Sequence, residues 1–265
     1  MAALFFYPGT DRLILSDLGS PGMDSTEKLI IGHRGAPGDA RENTIESFEK
    51  AMASGADMIE FDVRRTQDYT LIVYHNEWIQ GHFIKDLTYE AIRRIAANQG
   101  FNLPTLEEVL KWSGGKIKLD IELKEEGYEK DVVGSISGYL ETDQFMITSF
   151  NDASLMAAKE QNPDIKTGLI LGKEIASYHL LTRLQEIFPM RRCRKAKTDF
   201  LVAHWKLLRF GLLERAHRNH QPVFVWTVND KEMMGRLLQD RRVYAIVTDK
   251  PDLAVSLRNE LLRSP

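Results

Sequence analysis

The sequence predicts an α/β protein built as a (β/α)8 TIM barrel, and three observations support this fold class. Short apolar runs rich in β-branched residues alternate with amphipathic helical patterns along the chain. The runs are apolar nearly throughout, as is typical of parallel strands that are buried on both faces. Eight such runs occur in a chain of 265 residues, and about 250 residues is the usual length of these barrels. A doubly wound sheet shows the same alternation and is the alternative.

Eight strands are predicted between Leu29 and Asp249. They cover LIIGH (29–33), MIEFDV (58–63), IKLDIEL (117–123), FMITSF (145–150), KTGLIL (166–171), FLVAHW (200–205), PVFVWTV (222–228) and YAIVTD (244–249). Helices are predicted between them, for example at 44–54, 153–161 and 231–239. Residues that often begin helices stand at Asn43, Asn151, Asn229 and Asp249.

A ninth strand-like run, TLIVY (70–74), breaks the alternation. It follows the second strand after a short polar turn, which leaves no room for a crossover helix. The run therefore predicts a small hairpin arm rather than a barrel strand. Residues 76–116 predict a short helical insertion after it, in which Thr105 and Glu108 have the spacing of a capping box.

Composition predicts the domain organisation and the cellular setting. The hydrophobic share of 43% supports one sizeable core, so we expect an irregular segment at 1–28 and a single domain at 29–265. A net charge of −3 gives no basic excess for non-specific nucleic-acid binding. The single cysteine, Cys193, excludes an internal disulfide and a cysteine metal cluster. With no apolar stretch long enough to span a bilayer, we expect a soluble cytoplasmic protein whose oligomeric state stays open.

Three acidic residues are predicted at the C-terminal ends of the strands, where the active sites of such barrels lie. Glu60 and Asp62 are two residues apart and share one strand face, and Glu122 lies on the next barrel strand. Charges on buried strands are costly unless they are paired or ligated. Salt bridges to Lys124 and Arg34 would satisfy them, and so would one divalent cation bound by oxygen ligands. Three acids on one rim beside two histidines favour the cation.

The two histidines are His33, at the end of the first strand, and His75, at the end of the hairpin arm. Together they can supply an acid and a base near neutral pH. Two histidines and a carboxylate also resemble an iron or zinc ligand set. Because three carboxylates are present, we predict that the histidines are catalysts. His204 ends the sixth strand without an assigned role, and surface positions are predicted for the rest: His82, His179, His217 and His220.

The segment from Ile30 to Asn76 resembles the N-terminal signature of the glycerophosphodiester phosphodiesterase family. That signature has HR, then a GA-x-x-x-E-x-D strand, then a histidine that closes the hairpin. Later blocks of the family are similar to PTLEEVL (104–110), LDIELK (119–124), VWTVN (225–229) and VTDKPD (247–252). The resemblance runs in order from about Leu29 to Leu253, and it implies a (β/α)8 barrel.

The resemblance also implies an activity, which is metal-dependent hydrolysis of glycerophosphodiesters to sn-glycerol 3-phosphate and an alcohol in lipid and glycerol metabolism. The resemblance assigns the binding of one divalent cation, Mg²⁺ or Ca²⁺, to Glu60, Asp62 and Glu122. It assigns acid/base catalysis to His33 and His75. Substrate binding falls to Arg34, Lys124 and Trp226.

The chain departs from the family pattern at three positions. Asn76 replaces the usual Asp after the second histidine, Tyr69 replaces the glycine of the hairpin turn, and Arg41 replaces a proline. None of them removes a ligand or a catalytic group, but Asn76 is expected to alter the pKa of His75. The insertion between Asn76 and Lys116 is short, which leaves the substrate's alcohol group open.

Three other functions are considered. A lysophospholipase D or sphingomyelinase D-like phosphodiesterase would use the same site with a mouth that accepts an acyl chain. A non-catalytic phosphodiester-binding barrel is a further alternative, for which Asn76 is the only indication. RRCRKAK (191–197) is predicted in a loop on the N-terminal face, where membrane or nucleic-acid contact competes with the ordinary role of a solvated charged segment.

Overall fold

A computed structural model of the protein describes residues 28–172 and 186–263. Its strands are β1 (Leu29–His33), β2 (Met58–Arg65), β3 (Leu71–Val73), β4 (Trp78–Ile79), β5 (His82–Phe83), β6 (Lys118–Leu123), β7 (Phe145–Ser149), β8 (Lys166–Leu171), β9 (Phe200–His204), β10 (Val223–Trp226) and β11 (Val243–Thr248). Eight of these strands, all except β3, β4 and β5, pair in parallel. They close into a barrel because β1 pairs with both β2 and β11. The predicted (β/α)8 barrel is confirmed, and this closure excludes the doubly wound sheet.

The helices lie between the strands and cover the barrel. They are α1 (Ile45–Ala53), α2 (Tyr89–Asn98), α3 (Leu106–Ser113), α4 (Glu129–Ser137), α5 (Asp152–Gln161), α6 (Met190–Ala196), α7 (Leu212–Arg218), α8 (Lys231–Gln239) and α9 (Pro251–Arg263). Short 3₁₀ helices occupy Ile84–Asp86 and Trp205–Phe210. None of the helices in the described ranges is long and apolar enough to cross a membrane. The expected irregular segment at 1–28 lies outside the described residues except for Lys28.

The hairpin arm and the insertion are present as predicted. Strand β3 runs antiparallel to β2, with Val73 opposite Val63. The chain then forms the small β4–β5 hairpin, a 3₁₀ helix and α2, over a core of their own that includes Ile72, Ile84 and Ile92. Thr105 begins α3 with the predicted capping box.

Three of the four predicted helix starts lie one residue too early, among them Asp249, since α9 begins at Pro251. Thr44 rather than Asn43 caps α1, where its side chain accepts a hydrogen bond from the Ser47 amide. Asp230 rather than Asn229 caps α8 in the same way. The side chains of Asn43 and Asn229 instead donate hydrogen bonds to Asp62 and Asp249.

The basic segment 191–197 is a helix and not the predicted loop. It forms most of α6, in which Cys193 is buried. Arg192 forms an ion pair with Asp152 at the start of α5 and donates to the Phe150 carbonyl. At least one of its charges is therefore paired within the fold.

Apolar side chains fill the barrel interior up to the level of the site. Leu29 and Ile31 on β1 and Phe224 on β10 belong to this interior cluster. Phe200 stacks on Phe224 with ring centroids 4.5 Å apart and fills the space in front of Gly168, where a Cβ would lie 2.1 Å from its ring. On β1 and β2 the next inward residues, His33 and Glu60, are polar, so these strands bring polar groups to the C-terminal rim.

Candidate active site

Glu60, Asp62 and Glu122 converge at the C-terminal ends of β2 and β6. The parallel register places Asp62 directly beside Glu122. One carboxylate oxygen from each residue lies within 4.8 Å of the other two. All three side chains are buried, and a buried charge is costly unless it is paired or ligated.

Basic and amide groups satisfy part of this acidic cluster. Lys124 Nζ lies 2.7 Å from Asp62 Oδ1 and 2.6 Å from Glu122 Oε1. Asp62 Oδ2 accepts a hydrogen bond of 2.7 Å from Asn43 Nδ2 and lies 3.3 Å from Arg34 Nε. Burial alone would raise the pKa of Asp62, but Lys124 and Arg34 hold it below its ordinary range. The salt bridges expected as one alternative are therefore formed around Asp62.

Glu60 is not satisfied by these partners. Its Oε2 accepts a hydrogen bond of 2.8 Å from the Arg34 amide, whereas its Oε1 is buried without a hydrogen-bond partner. Burial raises the pKa of Glu60 well above its ordinary value, and Asp62 and Glu122 add to the shift. An unpartnered buried carboxylate oxygen beside two other carboxylates fits a hard divalent cation with oxygen ligands.

Asp120 lies one inward position before Glu122 on β6 and is fully buried. Its Oδ1 is 2.7 Å from Thr148 Oγ1. Burial raises the pKa of Asp120 to about 8, and the charges of Glu122 and Asp62 act in the same direction. Asp120 does not belong to the group of carboxylates whose oxygens lie within 4.8 Å of one another, which sets it apart from the other three acids.

Arg34 is held rigidly just beyond the end of β1. Its backbone has a φ of 55°, in the left-handed region, and its carbonyl accepts hydrogen bonds from Ser47 Oγ and the Asn43 amide. Its guanidinium donates to Glu42 over 2.9 Å. The side chain lies beside the acidic cluster and also approaches Asp62, and its predicted substrate role stays a prediction.

His33 is paired with a carboxylate. Its Nδ1 lies 2.6 Å from Asp249 Oδ1, beyond the end of β11. Asp249 is itself held by Asn229, whose Nδ2 donates to Asp249 Oδ2 over 2.5 Å. Burial alone would raise the pKa of Asp249, but the hydrogen bonds from His33 and Asn229 lower it.

His75 has a different environment. Its Nδ1 lies 2.9 Å from the amide oxygen of Asn76, and its carbonyl accepts a hydrogen bond from Arg64 Nε. The pKa of His75 falls to about 4, chiefly because burial disfavours the charged imidazolium. Lys124 and Arg34 add to the shift, and Asp62 opposes it.

Trp226 lies at the end of β10 among other rings. Its indole Nε1 donates to the Leu171 carbonyl over 3.0 Å. Its ring meets Phe150 edge to face at 5.7 Å and His204 at 5.3 Å. The aromatic group gives the rim an apolar side, opposite in character to the acidic cluster, and brings His204 to the rim.

Sequence reasoning gave no site role to Asn43, Asn229, Asp249 and Glu42. The sequence predicts helix starts at the first three, because Asn and Asp are common there. Each instead follows a strand end or contacts one, where a polar side chain has the rim groups as its nearest partners. Asn43 and Asn229 are each followed directly by another residue that can cap a helix, Thr44 and Asp230. This pattern in the sequence indicates that the asparagines are available for other contacts.

The family model for "Glycerophosphoryl diester phosphodiesterase family" matches residues 33–253. A glycerophosphodiester phosphodiesterase of Caldanaerobacter subterraneus is 31% identical over 250 residues, which cover 86% of this chain and 97% of that protein. The crystal structure of a glycerophosphodiester phosphodiesterase from Parabacteroides distasonis has a TM-score of 0.74 at 25% identity, over 89% of this chain and 98% of the other. An Oleispira antarctica phosphodiesterase, solved with the product sn-glycerol-3-phosphate, shares the fold with a TM-score of 0.73 at 21% identity, over 89% and 98% of the two chains.

Proposed function

The chain belongs to the glycerophosphoryl diester phosphodiesterase family, and from this premise we propose how its rim performs the reaction. The enzyme is a phosphoric diester hydrolase that acts on glycerophosphodiesters. In our proposal Glu60, Asp62 and Glu122 hold one divalent cation, Mg²⁺ or Ca²⁺. His33 and His75 transfer the protons, and the products are sn-glycerol 3-phosphate and an alcohol, the first of which is the product bound by the Oleispira enzyme.

The observation that carries the proposal is the buried, unpartnered Oε1 of Glu60 within a cluster of three carboxylates. Lys124 and Arg34 bring two positive charges to three acids, so the cluster keeps an uncompensated negative charge when all three are ionised. When bound, a divalent cation supplies Lewis acidity toward a phosphoryl oxygen and orients the substrate.

The protein's own groups account for the remaining steps. In both histidines Nδ1 faces an oxygen, of Asp249 or of Asn76, so Nε2 is the nitrogen left to exchange a proton with the substrate. One imidazole deprotonates the nucleophile and the other protonates the leaving oxygen. The acidic cluster would repel the negatively charged phosphate of the substrate. Arg34 and Lys124 offset this repulsion with two positive charges. Trp226 offers an apolar surface to the carbon atoms of the substrate.

The cation site is tested by Glu60→Gln, which keeps the size of the side chain and removes its charge. We expect Ca²⁺ or Mg²⁺ affinity to fall by at least about 10–100-fold, since even an indirect change around a metal ligand has an effect of this size. Titration calorimetry measures the affinity, and release of sn-glycerol 3-phosphate from glycerophosphocholine measures the activity with and without EDTA.

Glu46→Gln is the matched control, because Glu46 is exposed in the first turn of α1. It should bind the cation and turn over substrate like the unmodified enzyme. Cation affinity equal in Glu60→Gln and Glu46→Gln would refute the proposed site. Hydrolysis that is unaffected by EDTA would refute the role of the cation.

A second substrate class is favoured by one observation. Three residues after His75, Trp78 is 53% exposed and packs on Phe83, which is 42% exposed, with ring centroids 5.6 Å apart. Exposed aromatic rings next to a proposed catalytic residue suit a substrate with an acyl chain, such as a lysophospholipid. Rates on lysophosphatidylcholine and glycerophosphocholine decide between the two classes.

A further inference from the structure

We propose that Asp249 is a positioning residue for His33 and that Asn229 holds Asp249 in place for this task. The proposal rests on the proposed function, because it assigns the residues a role in the same site. Asp249 Oδ1 and His33 Nδ1 are 2.6 Å apart, and the two residues are separated by 216 positions in the chain. Only closure of the barrel, which pairs β1 with β11, brings them together.

The contact fixes the tautomer and the rotation of the imidazole. An ionised carboxylate can only accept a hydrogen bond, so Nδ1 of His33 must carry a proton and donate it. Nε2 then remains as the nitrogen that meets the substrate, and it is unprotonated in the neutral ring. Without Asp249, the neutral ring is free to place its proton on either nitrogen and to turn about its side-chain bonds.

Asn229 holds the backbone and the side chain of Asp249 at once. Its Nδ2 donates to Asp249 Oδ2 over 2.5 Å, and its Oδ1 accepts from the Asp249 amide over 2.9 Å. Thr248 Oγ1 also donates to the same oxygen over 3.1 Å. The carboxylate therefore cannot rotate away from His33 without breaking a hydrogen bond to Asn229. The orientation of His33 thus depends on residues at the ends of β1, β10 and β11.

The environment of His75 shows what the carboxylate adds. Its Nδ1 meets a neutral amide oxygen, from the adjacent residue Asn76 and not from another strand. An amide oxygen can orient an imidazole, but it does not form an ion pair with an imidazolium. Of the two proposed catalysts, His33 is thus the one whose Nδ1 is paired directly with a carboxylate.

The experiment compares Asp249→Asn with Asp249→Glu and with Asp230→Asn in the metal-loaded enzyme. Asp230→Asn makes the same chemical change one residue after Asn229, and Asn is an equally good cap for α8. We expect Asp249→Asn to lower kcat by between about 10-fold and 10⁴-fold, with KM little changed. Asp249→Glu should recover part of the loss, and Asp230→Asn should have no effect.

A spectroscopic measurement tests positioning separately from catalysis. In ¹⁵N-labelled protein without added metal, the His33 ring should show a strongly hydrogen-bonded Nδ1 proton, which disappears in Asp249→Asn and in His33→Ala and persists in Asp230→Asn. If Asp249 acts through His33, Asp249→Asn causes no further loss of kcat in a His33→Ala background. Thermal unfolding and Ca²⁺ affinity should stay at their original values in Asp249→Asn.

An unchanged kcat in Asp249→Asn, a persisting Nδ1 proton signal in that variant, or full additivity with His33→Ala would each overturn the proposal. A fall in Ca²⁺ affinity equal to that of Glu60→Gln would also overturn it, because Asp249 would then belong to the cation site. If the unmodified enzyme shows no cation-dependent hydrolysis, the proposed function fails, whereas the ring spectrum still decides whether Asp249 positions His33.

Discussion

The two imidazoles of the site differ most in the charge around them. His33 Nδ1 is paired directly with the carboxylate of Asp249, whereas His75 Nδ1 faces a neutral amide, and the ring lies near the cations of Lys124 and Arg34 as well as the carboxylate of Asp62. With a pKa of about 4, His75 is neutral throughout the physiological range and is suited to accept a proton. His33, with a counter-charge for its protonated form, is suited to donate one. This difference predicts that His75 is the base.

The pH dependence of kcat/KM tests this assignment. A base must be neutral, so activity should persist as the pH falls from 7 and be lost only as the pH approaches about 4. Asn76→Asp places a carboxylate beside Nδ1, which stabilises the imidazolium and raises the pKa of His75 by about one unit or more. The acidic limb of the profile should therefore move to higher pH in Asn76→Asp.

Asn98→Asp is the matched control, because Asn98 is an exposed residue at the end of α2. Its profile should coincide with that of the unmodified enzyme. An acidic limb near pH 6.5 in the unmodified enzyme, or one that stays in place in Asn76→Asp, would contradict the assignment of His75 as the base.

At the residue scale, the sequence predicts which candidate site residues lie together better than it predicts their hydrogen-bond partners. Strand ends and alternation placed Glu60, Asp62 and Glu122 on one rim, and the structure brings them within 4.8 Å. The bond between His33 and Asp249 joins the first and the last barrel strand. No local pattern encodes such a distant pair, because it depends on closure and on the register of β1 with β11.

At the scale of the elements, the β4–β5 hairpin exposes two aromatic rings, Trp78 and Phe83, shortly after the proposed catalyst His75 in the chain. Trp78→Ala combined with Phe83→Ala should lower kcat/KM for lysophosphatidylcholine by about tenfold or more, because each buried aromatic contact with an acyl chain contributes more than about 1 kcal/mol. The same variant should hydrolyse glycerophosphocholine at the original rate, since that substrate has no acyl chain.

Tyr139→Ala provides the control for exposed aromatic surface in general. Tyr139 is 40% exposed between α4 and β7, a connection that leads into the N-terminal end of a strand and thus lies on the opposite face of the barrel. It should leave both rates unchanged. Equal losses on both substrates in the hairpin variant would show that the hairpin supports the site and does not select an acyl chain.

The sequence predicted which elements form more reliably than where they begin. All eight barrel strands and the antiparallel arm lie where the apolar runs placed them. The segment 191–197 was expected in a loop because its charges hide the helical pattern, in which Cys193 and Ala196 are the buried pair at i and i+3. The ion pair between Arg192 of this helix and Asp152 is formed by the fold, and the local sequence does not indicate it.

At the scale of the whole molecule, a side chain of α9 hydrogen-bonds to the backbone at the start of β1. Arg258 of α9 is 3% exposed, and its Nη1 donates to the Lys28 carbonyl over 2.8 Å and to Asp57 Oδ2. The same Asp57 oxygen accepts a hydrogen bond of 2.8 Å from the Ile30 amide. Arg258 thus connects α9 to the start of β1 by a hydrogen bond and to the residue before β2 by an ion pair.

Arg258→Ala removes the ion pair with Asp57, which is 11% exposed, and the hydrogen bond to the Lys28 carbonyl. Because removing one member of a largely buried ion pair is costly, we expect the free energy of unfolding to fall by about 3–5 kcal/mol. Urea denaturation followed by circular dichroism measures the change, and Arg263→Ala, an exposed arginine on the same helix, is the control. The site lies at the other end of the strands, so the folded fraction of Arg258→Ala should keep its KM for glycerophosphocholine. A stability loss no larger than that of Arg263→Ala would show that the parallel pairing of β1 with β2 and β11 closes the barrel without help from α9.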